Sequence, residues 1–481
     1  MVITNCATTG LEPYVPSAAA PWDRARAQHL LRRISFGGRP AEIERALADG
    51  PAATVDRLLS DASTRPDHDA PEWARWDYDT FMANNRDVFG TYVEWNQVFM
   101  QDALDHGVRE KLVLFWMNHF VAKYESYSCP SYYYQWMKVC TDHAFGEFRV
   151  FVRDITKTPA MLFFLNGFEN TRDNPNENYA RELFELFTMG ENNGYTQEDI
   201  VEASRALTGW NGWTTYCGGV NWAPWGFDSG NKTVFGRTAP FNYGSLINMM
   251  FEERATEISV FICGKLYQYY VNPTIDEAIV DGLAATFRDN DFQILAVLRQ
   301  LFASAHFFDA AHYGAQIKAP TEVLINFLRE GDFEVFPEWK DWGFWSMANM
   351  GQYLGEPPDV SGWKGNRSWI DSNRLTLRWE AMDGFTWGVH NQNAETFPAF
   401  ARALTDDSNQ VDEVARAIVD YFIPRGLNTP EAYDLATDVL KWDVPANYYV
   451  DGTWSLYYPS VSWQITLLLR HLSRLPEFQL V

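Results

Sequence analysis

Apolar residues recur at three-to-four spacing along most of the chain. The pattern runs through AQHLLRRISFG, ATVDRLLSDA, VREKLVLFWMNHFVAKY, TEISVFICGKLYQYYV, TIDEAIVDGLAATFRDN, DFQILAVLRQLFASA, PTEVLINFLREG and SVSWQITLLLRHLSRL. That period marks helices with one buried face, so the expected fold is all-α, one large multi-helix domain. Starting caps support it: Thr196 with Asp199 three positions on, and Thr274 before Ile275-Asp276-Glu277. Asp289-Asn290-Asp291 lacks the glycine and terminal glutamate of a calcium loop and reads as a helix start. Alternating strand patterns are scarce. The tract from Asn211 to Tyr243, with WTTYCGGVNWAPWGFDSGNKTVFG at its heart, is too long for a simple connector. Its aromatic content predicts a loop that is functional or packed down, with room for a short hairpin. HNQNAETFPAF and TDDSNQ suggest a division into an extension (1–21), a main helical domain (22–395) and a C-terminal helical segment (396–481), the last equally readable as a final layer of the same domain.

One amphipathic stretch is unusually charged: NENYARELFE, residues 176–185, holds three glutamates and an arginine. On a wheel of about 100° per residue, Tyr179, Ala180, Leu183, Phe184, Leu186 and Phe187 fill one side, and Glu177, Asn178, Arg181, Glu182, Glu185 and Thr188 the other. Asn178, Glu182 and Glu185 fall in one row, and Arg181 can pair across a turn with Glu177 or Glu185. The row reads either as a solvated, salt-bridged face or as the wall of a cleft. In the second case crowding of like charges raises one carboxyl's pKa and makes it a proton donor. Glycoside hydrolysis uses paired acids of this kind, with the partner expected from across the cleft.

FWMNHF, residues 115–120, sits in an otherwise apolar helix, so Asn118 and His119 are expected to be buried and hydrogen-bonded or ligating. A metal site there would need His143 or the carboxylates of 177–185 brought close. No metal-ligand set is assigned and no cofactor is expected.

The formal net charge of −24 and a pI near 4.7 argue against nucleic-acid and anionic-membrane partners, which need clustered Lys and Arg. The aromatic content of 16%, with 20 Trp, adds a second picture: flat apolar faces edged by carboxylates suit sugar rings, although packing accounts for most tryptophans. Five cysteines show no CxxC pairing, and Cys129 with Cys140 is the only sequence-close pair. The N-terminal stretch does not read as a secretory signal, and no apolar run reaches the roughly 18 residues of a membrane span. There is no GxxxxGK[ST], GxGxxG after a strand, GxSxG elbow, HExxH or kinase set, so nucleotide, dinucleotide and serine-hydrolase chemistry lack their usual signatures.

The run NENYARELFELFTMGENNGYTQEDIVEASRALTGW resembles the signature of the bacterial family known as domain of unknown function 1800. Agreement continues in order through AQHLLRRISFGGRPAEIERAL, REKLVLFWMNHF, HAFGEFR with PAMLFFLNG, GKLYQYYV, IKAPTEVL, GQYLGEPPDVSGWKGNRSWI and RLPEFQLV, so it covers about residues 22–481. The resemblance implies an all-helical fold, an extracytoplasmic setting, and a neighbouring gene for a protein related to sulfatases and alkaline phosphatases. Such a partner could carry the export signal for this chain. The family pattern also implies a His-Asp pair and a lysine in the aromatic loop; Phe227-Asp228 and Lys232 stand there, without the histidine.

Three function classes follow. The first is a carbohydrate-active hydrolase or lyase with Glu182, Glu185, Asp228 and His119 as catalytic candidates. Its glycan would meet Asn118, Asn178, Arg181, Trp210, Trp213, Lys232 and Trp363. The second is a non-catalytic binding or assembly protein of a surface complex, and the third a metal-dependent enzyme centred on His119.

Overall fold

A computed structural model describes residues 9–213 and 215–481. Among them, 23 α-helices and two two-stranded sheets make an all-α fold. One continuous apolar core runs from Tyr14 to Phe478. It takes in Phe397, Ile418 and Leu468, so the 396–481 segment is packed on the rest, with helix Val461–Ser473 against helix Ser372–Gln392. No helix of the described residues is long and apolar enough to cross a membrane.

The helices follow the apolar period and end where the backbone demands it. Thr196 caps helix Gln197–Ala206 through the Asp199 N–H, and the Asp199 carboxylate accepts from Thr196 N at 2.8 Å. The cap expected at Thr274 lies instead at Asp276, which accepts from Ile279 N, because Asn272-Pro273-Thr274 is used in a turn. Asp289-Asn290-Asp291 is a helix end, not a start: helix Glu277–Asp289 stops there and Asp291 and Phe292 turn into the left-handed region at φ 50° and 58°.

The aromatic tract holds both small sheets. Gly212–Trp213 pairs antiparallel with Val220–Asn221, and Lys232–Val234 with Arg237–Ala239 through a turn in which Phe235 and Gly236 both take positive φ. A disulfide joins Cys129 to Cys217 across 88 residues, a pairing that sequence proximity would not have selected. Cys140 and Cys263 are buried thiols, and Cys6 lies outside the described residues.

Candidate functional site

Helix Val108–His119 is buried on all sides, with Asn118 partly exposed. Asn118 Oδ1 accepts from Trp363 N at 2.7 Å and its Nδ2 donates to Trp363 O at 3.0 Å. This two-point clamp draws the 359–369 segment onto the helix end. Gly362 makes the approach possible, since it takes φ +79° and a Cβ there would sit 2.3 Å from Asn118 Oδ1.

His119 uses both ring nitrogens. Nε2 lies 3.0 Å from Phe187 O, which can only accept, so Nε2 carries the proton and Nδ1 is the acceptor. Lys265, on helix Ala255–Tyr270, places Nζ 3.1 Å from that Nδ1. Burial, and then the Lys265 charge, push the imidazole well below its ordinary pKa, so it is neutral. Burial also pushes the Lys265 ammonium down to about 8.

These groups open on a cavity of about 360 Å³ between helices Val108–His119, Ala255–Tyr270 and Pro320–Gly331 and the 352–369 segment. Trp363 and Trp369 contribute indoles, and Gln268, Gln316, Gln352 and Asn366 carboxamides. Glu322 contributes a carboxylate already engaged: Lys111 Nζ lies 2.7 Å from Oε1 and Ala319 N donates to Oε2 at 2.7 Å. Although burial raises its pKa, Lys111, the Ala319 N–H and Arg33 together outweigh that effect and the group is held below its ordinary value. Gln352 Oε1 accepts from both Thr321 N and Thr321 Oγ1 at 2.9 Å.

Of the residues singled out in the sequence, Asn118, His119 and Trp363 meet at this cavity. The charged row of residues 177–185 does not line it. Helix Asn178–Glu185 buries Tyr179, Ala180, Leu183 and Phe184 as its pattern requires, and Phe187 behind it accepts from His119. Thr188, on the polar side of the wheel, is buried because the helix has ended by then. Arg181 spans Glu177 at 3.2 Å and Glu185 at 3.3 Å and also donates to Gln197. Asn178 Nδ2 donates to Asn166. Glu182, half-buried, is raised to about 7, first by burial and then by Glu185.

Asp228 and Lys232 meet each other in the aromatic loop, away from the cavity lining. Burial would raise the Asp228 pKa, but the Arg205 guanidinium at 2.8 Å and the Gly230 N–H hold it low. The fully buried Lys232 ammonium donates to the carbonyls of Asp228 and Phe241, stapling the loop. Trp210 packs edge-on against Trp222 and Tyr243, whereas Trp213 is 43% exposed beside Phe163 and Phe168. His143 pairs with Asp154 instead of joining His119. The described residues contain no group of three His, Cys, Asp or Glu placed to hold a metal ion.

A family model described as "Protein of unknown function (DUF1800)" matches residues 29–480. The chain belongs to the DUF1800 family. No curated protein and no solved structure matches it.

Four of the stretches that carry the DUF1800 resemblance converge on the cavity. REKLVLFWMNHF supplies Asn118 and His119, GKLYQYYV supplies Lys265 and Tyr269, IKAPTEVL supplies Glu322, and GQYLGEPPDVSGWKGNRSWI supplies Gln352, Trp363 and Trp369. Lys265, Glu322, Gln352 and Trp369 were not among the sequence candidates. The signal that could have found them was the clustering of polar residues inside those otherwise apolar stretches.

Proposed function

We propose that this DUF1800 chain is a carbohydrate-active enzyme whose sugar site is the cavity beneath Trp363 and Trp369. The observation that carries the reading is the lining itself: two indoles, five carboxamides and the Lys265 and Lys364 amines around about 360 Å³. Indole faces stack on the C–H faces of sugar rings, and carboxamides exchange hydrogen bonds with hydroxyls. Hydrolysis by carboxylate acid/base chemistry needs two carboxyl groups. Glu322 is the carboxylate in the lining, and Lys111 already holds it. A single carboxylate already held by Lys111 does not make that pair, which counts against acid/base hydrolysis in this cavity.

Purified protein incubated with a panel of polysaccharides, assayed for new reducing ends and for the ultraviolet absorbance of unsaturated products, tests this. Turnover abolished in a Lys265→Met variant that still unfolds cooperatively and no less stably than wild type, and kept in Glu182→Gln, is the expected result. Turnover lost in Glu182→Gln alone moves the chemistry to the outer row of helix Asn178–Glu185.

A second reading, a binding or assembly protein, is favoured by the aromatic loop. It exposes Trp213 at 43%, Tyr216 at 42%, Trp222 at 40% and Trp225 at 63% while pinned by Cys129–Cys217. Rigid exposed aromatics of this kind suit a partner surface, and the sulfatase-related neighbour is the partner to try. The same disulfide supports an extracytoplasmic location, since such bonds persist in oxidising compartments. Thiol labelling of the protein taken from its host tests that: labelling at Cys217 before reduction counts against export.

A further inference from the structure

The cavity lies in a cluster of buried cations that exceeds its carboxylates. Arg33, Lys111, Lys318 and Arg378 all act on Glu322 and all are buried, while the second buried carboxylate, Glu330, acts on Lys318 and Lys111 but is itself paired with Arg32. Lys111 is the one paired with Glu322. Arg33 donates to the carbonyls of Val271 at 2.6 Å and His312 at 3.2 Å. Arg378 donates to Gln479 Oε1 at 3.1 Å and Lys318 O at 2.8 Å, and the Lys318 ammonium sits 4.3 Å over the Phe478 ring. Every one of those acceptors is neutral. Lys265, which faces the cavity itself, has the neutral His119 ring as its hydrogen-bond partner.

Burial drives Lys265 and Lys318 down to about 8, and Arg33 and Arg378 to about 10. Uncompensated buried charge is costly, and here it is gathered at one place in a chain whose formal net charge is −24. A local positive field in an acidic protein concentrates anions there.

Several hydrogen-bonding ends that face the cavity are already engaged. Asn118 and His119 have spent their groups on Trp363, Phe187 and Lys265. Gln352 has spent its carbonyl on Thr321, which leaves its NH₂. What remains for a ligand is the Lys265 ammonium, the Lys364 amine, the Gln352 amide and Asn366 Nδ2 as donors, with the side-chain oxygens of Gln268 and Gln316, whose amides donate to Pro273 O and Gln268 O, as acceptors.

We propose that the cavity is built for a negatively charged sugar of the uronic-acid class, whose carboxylate accepts from Lys265 Nζ, with the Gln352 amide as a second donor. The sugar part rests on the carbohydrate reading above; the charge part stands on the cations alone. Lys265 then acts as counter-cation.

Calorimetric titration of the whole chain at neutral pH with glucuronate, glucose and inorganic sulfate separates the parts. Glucuronate is expected to bind saturably and at least about tenfold tighter than glucose, the scale of one charge-assisted hydrogen bond. Lys265→Met should weaken glucuronate by about ten- to a hundredfold. Gln352→Leu should weaken it several-fold, with melting profiles recorded for both. Glucose binding as tightly as glucuronate overturns the charge inference and leaves the carbohydrate reading standing. Sulfate matching glucuronate while glucose fails keeps the charge inference and sinks the sugar. Absence of glucuronate binding, or binding indifferent to Lys265→Met, overturns the proposal.

Discussion

Lys265 Nζ lies 3.1 Å from His119 Nδ1, an ammonium held against a neutral imidazole whose other nitrogen is bound to Phe187 O. Structural lysines usually end at a carboxylate or in water. This one is held at the wall of a cavity in a form that burial disfavours, an expense in stability that functional sites commonly carry.

Lys265→Met is therefore expected to stabilise the protein. The folded pKa, about 8, lies below the ordinary 10.5, so the cost is fully present below about pH 8. Between the two values the unfolded chain keeps a proton that the folded chain has released, and the wild type gains on the variant as pH rises. Denaturant melts at pH 7 should show the variant ahead by on the order of 2–3 kcal/mol, with the gap closing by about pH 10. A gap that does not change with pH would mean that lost packing, not charge, sets the difference.

Glu182 gives the opposite slope. Its folded pKa is raised to about 7 from 4.5, so folded protein keeps a proton that unfolded chain loses between those values, and stability falls as pH rises through that window. Glu182→Gln should be neutral at pH 4 and stabilising by about 1 kcal/mol above pH 7, after discounting for partial exposure. A loss of stability in Glu182→Gln at pH 8 would mean that the ionised carboxylate has a partner that holds the fold.

How much of this was legible in the sequence depended on whether the signal was local. Helix Val108–His119 could be read from its apolar run, and Thr196 with Asp199 from cap chemistry, because both are decided within one turn. The polar row of Glu182 and Glu185 could be read as a row, but not as half-buried. Lys265 looked like an ordinary lysine in an amphipathic helix. Only packing 146 residues away in sequence sets it against His119, and no periodicity reports that. The Cys129–Cys217 bond was hidden for the same reason.

That disulfide is expected to hold the aromatic loop more than the cavity. Closing an 88-residue separation restricts the unfolded chain, worth about 3–5 kcal/mol on the entropic account. In the folded state, Tyr132 Oη donating to Gly218 O at 2.6 Å and Tyr78 N donating to Tyr216 O at 3.1 Å anchor the same segment. Hydrogen exchange on Cys217→Ser should show faster exchange around residues 215–226 and unchanged protection in helix Ala255–Tyr270. Equal loss of protection in both would make the bond a global staple.

Glu322 lines the cavity yet is expected to act on stability before function. Its two oxygens are engaged by Lys111 Nζ and Ala319 N, and Lys111 Nζ also donates to Arg32 O at 2.7 Å and Ser35 O at 2.8 Å. Glu322→Gln leaves the Lys111 charge buried without its counter-ion, which typically costs about 3–5 kcal/mol. Adding Lys111→Met removes the orphaned charge, so the double variant should be more stable than Glu322→Gln alone, a coupling that a double-mutant cycle measures directly. The pH dependence has a definite sign. Because the folded pKa of Glu322 is depressed, its contribution is present above about pH 4.5 and is lost as acid protonates it in the folded state. Wild type and Glu322→Gln should therefore converge in acid. Parallel melting curves down to pH 3 would show that the Lys111 pair is not what Glu322 contributes.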